Sequence, residues 1–525
     1  MYTLEAGGHG MLLAQPDMIS SIDKYASEKL GIPTSELMLR AARAVAKAVR
    51  DNLKGGSRIA VFAGKGNNGG DGYAAAYLLM NDYQVVVYDV FSAGQRTEDG
   101  RFYLDAFLSA GGTVIPLTFD ADTLDFIRRA DCLIDAVFGT GFIGEYPDVA
   151  VRLAELFTIA TDVLKLAIDV PLGVNASSGS VDLSATYSAD ITVALGFIKP
   201  GLISYPAKKY VGKLIYDNIG LHNEAVMNEF HFSDYAIDHS LASSLIPERP
   251  DNSNKGTFGK LLLVTGSSDY PGAARLSLEA ALRSGVGLTT YLGEKELCDT
   301  LAVSFPEVIY KPCSISDMDD EHADSVLTLA AKHSCVLLGS GSSVSSGLYT
   351  LLKKLLTTDG VPLVLDADAI NVLAAKGEEG RALLRESYRT VILTPHPLEL
   401  SRISGIAVDE IQSNRISAAK RFANEYGCIL VLKGAATVVT DGTKTYINTS
   451  GSSALAKAGS GDVLAGMLAS VIASGTDPLS AVALSVYFHG LAADVLAAEL
   501  SEFGVTPSDL PREIARQLQK AIASK

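Results

Sequence analysis

Two glycine-rich segments, one in each half of the chain, carry an aspartate that is placed to do chemistry. Residues 64–72 include two asparagines and Asp71, and residues 459–462 end in Asp462. Glycines just before a helix expose backbone N–H groups that bind phosphate, and a carboxylate there can accept a proton from a hydroxyl group. Both segments therefore predict sites for phosphate-bearing ligands. A tight turn that needs glycine, or a plain helix N-cap, would give the same pattern.

The first segment also matches, loosely, the dinucleotide-binding fingerprint G-x-G-x-x-G. Gly64, Gly66 and Gly69 have this spacing, and Asp89 ends the next predicted strand. In that fold such an acidic residue binds a ribose hydroxyl. The pattern alone is weak, so a nucleotide site and a simple glycine turn both remain open.

Further polar residues follow predicted strands in the first half. Asp135 precedes the segment 139–145, Asp169 follows the next strand, and Lys199 follows the one after it. Because the carboxyl ends of parallel strands meet at one edge of a sheet, we expect these residues to converge. Taken singly, the aspartates also fit caps or turns, and the lysine also fits a solvated surface position.

The second half has a similar set after its predicted strands. It consists of Asp366 and Asp368, of His396 between two prolines, of Glu399, and of the segment 433–437. A histidine fixed at a strand end is as consistent with a ligand contact as with a surface position. The carboxylates are likewise consistent with helix caps.

Two sheets are predicted to position these residues. From residue 57 onward, short apolar runs alternate with turns and alanine-rich helical stretches, and two helices broken at residues 31–33 precede them. Strands that are apolar on both faces are typical of parallel sheets covered by helices. The predicted class is α/β, with a Rossmann-like doubly wound parallel sheet in the first half and a second α/β domain after it. The predicted strands are 58–63, 84–89, 113–117, 132–138, 166–170, 191–194, 260–265, 336–339, 362–366, 390–394, 429–433 and 437–440.

Length and composition limit the organisation and the partners. The 525 residues, 48% of them hydrophobic, predict more than one packed domain, and we place the domains at 1–235 and 236–525, with the boundary in the polar segment 223–254. A net charge of −16 argues against nucleic-acid binding. Five isolated cysteines, no basic N-terminal signal and no membrane-length apolar run predict a cytoplasmic protein without a membrane anchor. The apolar stretch 479–493 is predicted to be a buried helix.

Residues 10–225 resemble the NAD(P)H-hydrate epimerase domain through the strings N-N-G-G-D-G, D-A-x-F-G-x-G-x-x-G, I-D-x-P-x-G and K-P-G. The resemblance implies epimerisation at C6 of the R and S hydrates, with Asp169 at the reacting nicotinamide and Lys199 as an electrostatic helper. A potassium ion is implied at Asn68, Asp135 and Leu172, where leucine replaces the usual serine. The residues implied in binding the hydrated cofactor are Asn67, Asn68, Gly69, Gly70, Asp71, Gly139, Thr140, Gly141, Phe142, Ile143, Gly144, Glu145 and Asp169.

Residues 240–520 resemble the ribokinase-like NAD(P)H-hydrate dehydratase, most clearly at 365–371, 394–397, 433–437 and 459–462. The resemblance implies that ADP or ATP, with magnesium, phosphorylates the C6 hydroxyl after Asp462 takes its proton, and that phosphate elimination then restores the reduced ring. The residues implied in contacting the hydrate are Ala273, Gly341, His396 and Asp462, and those implied in holding the adenine nucleotide are Lys433, Gly434, Ala435, Ala436, Thr437 and Gly461.

The expected protein is therefore a bifunctional repair enzyme for hydrated NADH and NADPH, and a homo-oligomer like its relatives. Ser343, Lys457 and Ala458 depart from the dehydratase pattern, and we expect the last two to alter nucleotide affinity or donor preference. The alternative is a ribokinase-like kinase for a vitamin or sugar, joined to a non-catalytic nucleotide-binding module.

Overall fold

The computed structural model describes residues 11–91, 94–142 and 144–525. Contacts divide the chain into two compact units, which contain Leu12–Phe232 and Ser233–Lys525. Both units are mixed α/β with mainly parallel sheets, so the predicted fold class is confirmed.

The first unit is built on one parallel sheet. β1 (Met11–Leu13) precedes this sheet in the chain and is not one of its strands. The strands of the sheet are β2 (Arg58–Ala63), β3 (Gln84–Asp89), β4 (Thr113–Pro116), β5 (Cys132–Ala136), β6 (Leu164–Ile168), β7 (Ile191–Leu195) and β8 (Lys213–Asp217). The strand order is β4-β3-β2-β5-β6-β7-β8, and every pair is parallel. All residues of β5 are buried, as expected for a central strand covered on both faces.

The helices of this unit begin with the predicted pair before the sheet. They are α1 (Pro16–Glu28), α2 (Thr34–Asn52), α3 (Asn67–Leu79), α4 (Glu98–Ser109), α5 (Ala121–Arg128), α6 (Asp148–Ile159), α7 (Pro200–Ile203), α8 (Lys208–Val211) and α9 (Glu224–Glu229). Of these, α3 begins at Asn67, inside the first glycine-rich segment and not after it. The polar residues of the first glycine-rich segment therefore occupy its first turns instead of a loop.

Glycine at position 69 allows this early start. A Cβ added there would lie 2.0 Å from the carbonyl oxygen of Gly64, far inside van der Waals contact. The helix N-terminus therefore packs directly against the end of β2, where its free N–H groups face the carboxyl ends of the strands.

The second unit contains a longer sheet. Its strands are β9 (Asp234–Ile237), β10 (Lys260–Val264), β11 (Leu288–Gly293), β12 (Ile309–Pro312), β13 (Cys335–Leu338), β14 (Leu363–Leu365), β15 (Val391–Leu393), β16 (Ile429–Leu432), β17 (Val438–Thr440) and β18 (Thr445–Asn448). They lie in the order β9-β18-β17-β16-β15-β14-β13-β10-β11-β12. β17 pairs antiparallel with β16 and β18, and the other pairs are parallel.

Helices cover this second sheet. They are α10 (His239–Ser244), α11 (Pro271–Arg283), α12 (Lys295–Ser304), α13 (Asp320–Ala330), α14 (Ser346–Leu356), α15 (Asp368–Ala375), α16 (Glu378–Arg385), α17 (Pro397–Ser404), α18 (Val408–Ser413), α19 (Arg415–Tyr426), α20 (Ser460–Ala473), α21 (Pro478–Gly504) and α22 (Leu510–Ala523). By length and composition α21 alone among the described helices could cross a membrane, yet 72% of its most apolar stretch is buried in the protein. The prediction of a buried helix there is confirmed.

The polar segment 223–254, where the sequence places the domain boundary, is folded. It contains α9, β9 and α10, and β9 pairs in parallel with β18. The side chains of Asn223 and Asp238 cap α9 and α10, which explains why a run rich in polar residues forms helices here.

Two candidate active sites

The first unit contains a cavity of about 770 Å³ at the carboxyl ends of its central strands. The predicted residues that line it are Asn67, Asn68, Asp71, Gly139, Thr140, Gly141, Phe142, Glu145, Asp169 and Lys199. Gly69 and Gly70 are buried in the first turns of α3 and act through the backbone, Gly144 is exposed outside the cavity lining, and Ile143 lies outside the described residues. The expected convergence of residues from several strand ends is therefore present.

The centre of this site is a buried ion pair. The ammonium of Lys199, which is only 1% exposed, contacts the carboxylate of Asp169 and donates a hydrogen bond to the carbonyl oxygen of Leu195 at 2.8 Å. Lys199 is thus not a solvated surface lysine. Asp169 has a backbone φ of 67°, an uncommon conformation for a residue other than glycine that is associated with functional sites.

Two more carboxyl groups line the same cavity. Burial and the charge of Asp169 raise the pKa of Asp71 well above its usual value. Burial also raises the pKa of Asp23, on α1, to about 6, although Lys199 opposes the shift. The sequence analysis missed Asp23, because an aspartate on an amphipathic helix looks like an ordinary surface residue.

Asp135 and Leu172 contact each other, and neither is among the residues that line the cavity. Asp135 accepts hydrogen bonds from the backbone N–H of Leu172 at 2.8 Å and from the hydroxyl of Tyr187 at 3.0 Å. Burial raises the pKa of Asp135 to about 6, although these donors oppose the shift. Nearby, the Nδ2 of Asn68 donates to the carbonyl of Phe138 at 2.9 Å, while its Oδ1 is buried and has no hydrogen-bond partner within the described residues.

Asp89 does not take part in this site. It forms an ion pair with Arg96 and is absent from the lining of the cavity. The loose dinucleotide fingerprint would make Asp89 a ribose-binding residue. The geometry of the site does not support that role.

The second unit also has a buried ion pair at the ends of its strands. The ammonium of Lys433 donates to Asp366 at 2.9 Å and lies 3.9 Å from Glu399. Asp366 also accepts hydrogen bonds from the hydroxyls of Ser340 at 2.8 Å and Thr394 at 2.6 Å. Burial alone would raise the pKa of Asp366, but Lys433 and the two hydroxyls outweigh it and lower the pKa.

Asp462 is in the first turn of α20, close to this pair. Burial and the charge of Asp366 raise the pKa of Asp462 to about 7, while Lys433 opposes the shift. A Cβ added at Gly461 would lie 3.4 Å from the Nζ of Lys433. Gly461, Asp462 and Lys433 therefore share one site, as the sequence predicts.

The remaining predicted residues of this half lie at neighbouring strand ends. A Cβ on Gly341 would lie 2.6 Å from that of Ala273, so these two residues are in direct contact. His396 caps α17, since its Nδ1 accepts from the N–H of Glu399 at 3.2 Å. This capping role was not predicted from the sequence. Burial and the charge of Lys433 lower the pKa of His396, whereas Glu399 opposes the shift.

The segment that is predicted to hold the nucleotide forms the turn between β16 and β17. It consists of Lys433, Gly434, Ala435, Ala436 and Thr437. Thr437 donates to the carbonyl of Gly434 at 2.9 Å, and the guanidinium of Arg415 donates to the carbonyl of Lys433 at 3.1 Å. Ala436 has a φ of 53°, so this turn is held in a conformation that residues with a side chain rarely adopt.

Two residues that depart from the dehydratase pattern, Ser343 and Lys457, form specific hydrogen bonds in the structure. Ser343 keeps a left-handed φ of 61°, and its N–H donates to Asp368 at 2.9 Å. The ammonium of Lys457 bonds to the carbonyls of Phe503, at 2.7 Å, and Val505, at the end of α21. That ammonium is therefore engaged by the protein's own backbone.

Comparison with known proteins assigns both units. A family model described as YjeF-related protein N-terminus matches residues 34–201, and one described as NAD(P)H-hydrate dehydratase matches residues 261–516. The chain is 31% identical over 512 residues to the bifunctional NAD(P)H-hydrate repair enzyme Nnr of Moorella thermoacetica, covering 95% of each. It is 33% identical over 501 residues to the Coxiella burnetii protein of the same name, covering 95% of this chain and 98% of the relative.

A solved structure is similar to the second half. The ADP/ATP-dependent NAD(P)H-hydrate dehydratase of Bacillus subtilis, co-crystallised with ATP and Mg²⁺, is 30% identical with a TM-score of 0.48, and the match covers 54% of this chain and 97% of that one.

The two units define a two-domain α/β protein with a ligand site in each domain. The chain belongs to the family of bifunctional NAD(P)H-hydrate repair enzymes.

Removing the ammonium of Lys433 should destabilise the second unit. Lys433→Met leaves Asp366, which is 2% exposed, as an uncompensated buried charge, at a cost of ~3–5 kcal/mol in the free energy of unfolding. The double variant Lys433→Met/Asp366→Asn removes both charges and should recover most of that loss. Urea unfolding at pH 7, followed by circular dichroism, measures both values. Equal losses in the single and double variants would contradict the prediction.

Proposed function

We propose that this chain repairs hydrated NADH and NADPH in two steps. The first unit interconverts the R and S hydrates at C6, and the second unit dehydrates the S hydrate with ADP or ATP as phosphate donor. The observation that carries the proposal is that each unit places a lysine–carboxylate pair at its strand ends, with a further carboxyl group of raised pKa, Asp23 or Asp462, contributed by a helix. Family membership assigns the substrate to this chemistry.

In the first unit, the reaction at C6 requires the carbon–oxygen bond to break and to form again from the other face. The hydroxyl must leave as water, so it needs a proton, and the water that adds must lose one. Asp169 is the group we place at this step. Lys199 keeps the carboxylate fixed in position and offsets its charge.

In the second unit, Asp462 accepts the proton of the C6 hydroxyl as that oxygen attacks the terminal phosphate of the nucleotide. A pKa near 7 suits a group that must take and release a proton at neutral pH. The N–H groups at the start of α20 and the ammonium of Lys433 are placed to hold the transferred phosphate. Elimination of that phosphate from C6 then restores the reduced ring, so AMP is the second product when ADP is the donor.

Magnesium would enter the second site with the nucleotide. Within the described residues, no group of three or more histidine, cysteine or acidic side chains could hold a metal ion by itself. Mg²⁺ commonly binds through substrate phosphates and few carboxylates, and Asp366 or Asp462 would suit that role. The ion would offset the charge of the transferred phosphate.

Potassium would bind in the first unit at Asn68 and Asp135, with the backbone of Leu172 beside them. The donors suit a hard cation, because Asn68 leaves a buried Oδ1 without a partner among the described residues and Asp135 is a buried carboxylate.

The melting temperature of the protein is expected to be higher in potassium chloride than in choline chloride of equal ionic strength. Asp135→Asn should abolish the difference and the exposed control Asp125→Asn should keep it; equal melting of the wild type in both salts would contradict the site.

A product analysis tests the proposed function directly. Mixed epimers of the hydrate are incubated with Mg²⁺ and either ADP or ATP, and both epimers, nucleotide and phosphate are followed by chromatography. Both epimers should be consumed, with one phosphate released per reduced ring formed. Asp462→Asn should abolish dehydration while epimerisation continues, and Asp169→Asn should do the reverse. A stable phosphorylated product, without reduced ring, would indicate a kinase instead.

A further inference from the structure

The cavity of the first unit contains several carboxyl groups that the mechanism above does not use, and Asp23 is one of them. Asp23 is half-buried on α1 and lines the cavity together with Asp169 and Lys199. Asp169 comes from the edge of the sheet, whereas Asp23 comes from a helix before the sheet. The two carboxyl groups therefore come from different elements and line the same cavity.

Asp23 is also in electrostatic contact with the central ion pair. Burial raises the pKa of Asp23, Lys199 opposes the shift and Asp169 adds to it, and the result is a pKa of about 6. A carboxyl group with this pKa can hold a proton or lose it near neutral pH, which is what an acid–base group must do.

The reaction at C6 requires proton transfer on both faces of the nicotinamide ring. One face loses a hydroxyl that must gain a proton, and the other gains a water that must lose one. One carboxyl group alone must serve as acid on one face and as base on the other, whereas two carboxyl groups from different elements can divide these tasks.

We propose that Asp23 is the second acid–base group of the epimerase site and acts together with Asp169; the proposal rests on the function proposed above. In one direction Asp23 gives its proton to the C6 hydroxyl, the C6–O bond breaks to release water, and the N1 lone pair forms a C6=N1 double bond. Water then adds to the other face, the electrons of that double bond return to N1, and Asp169 takes the proton. The reverse direction exchanges the two roles, so the pair holds one proton throughout and no oxidant or reductant is needed.

Other charged groups face the same cavity and compete with Asp23 for this role. They are Lys65, Asp71, Asp99, Glu145, Asp169 and Lys199. Asp71 is the strongest competitor, but its burial favours the protonated form more strongly than at Asp23. Asp71 is therefore suited to donating a hydrogen bond to the substrate and poorly suited to alternating between acid and base.

The test compares the full chain with Asp23→Asn, Asp23→Glu, Asp71→Asn and the control Asp17→Asn, which changes an exposed residue of the same helix. Epimerisation of the R hydrate is followed without nucleotide, after subtracting the spontaneous rate. Asp23→Asn should lower kcat by roughly 10²-fold with KM changed by less than about threefold, which also shows that the cavity is intact. Asp23→Glu should recover part of the rate, and Asp17→Asn should match the wild type.

The pH profile separates an acid–base role from a structural one. In the wild type, kcat/KM should fall as the pH rises through about 6, because ionisation of Asp23 removes the proton that the pair needs. Asp23→Asn should lose this fall, whereas Asp71→Asn should keep it. A kcat for Asp23→Asn equal to that of Asp17→Asn, or loss of the fall in Asp71→Asn alone, would overturn the inference and leave the proposed function standing. A wild type without epimerisation would overturn both.

Discussion

Both candidate sites depend on a buried ammonium group that faces a carboxylate at the ends of parallel strands. Lys199 pairs with Asp169 in the first unit, and Lys433 pairs with Asp366 in the second. A charge removed from water is tolerated only with an opposite charge and good hydrogen bonds, so each pair fixes the position of its carboxylate. The charges of each pair also act on the pKa of the neighbouring carboxyl groups. One ammonium cannot neutralise several carboxylates, so the neighbouring carboxyl groups keep a raised pKa.

This arrangement explains how an acidic protein can act on ligands that all carry phosphate. The net charge of −16 describes the surface, whereas anions are received by local groups: the N-termini of α3 and α20, where glycine backbones approach closely, and the ammonium of Lys433. The extra carboxyl groups in the sites then have a role, since a carboxyl group whose pKa lies near neutral pH can accept and release protons. In the function proposed above, glycine backbones and, in the second unit, Lys433 bind the ligand, while an aspartate accepts or releases the proton.

The sequence predicts the central strands well and the periphery poorly. β2 and β3 match their predicted bounds, because apolar runs at a sheet centre reflect burial on both faces. β8, β9, β11, β12 and β18 were not predicted, since these strands near the sheet edges contain polar residues and depend on pairing partners far away in the chain. The site residues at strand ends were found by the same logic of parallel sheets. Asp23 was not found, because no feature of the sequence around it shows that its helix faces a cavity.

The most direct test of this account is the pH dependence of dehydration of the S hydrate, with the nucleotide saturated by Mg²⁺ so that its phosphates stay ionised. If Lys433 and the buried carboxylates set the charge of Asp462, kcat/KM rises with pH through about 7 in the wild type, because the ionised form accepts the proton. In Lys433→Met, loss of the opposing positive charge moves this rise to higher pH. A rate independent of pH across this range, or a rise at the same pH in both proteins, would contradict the account.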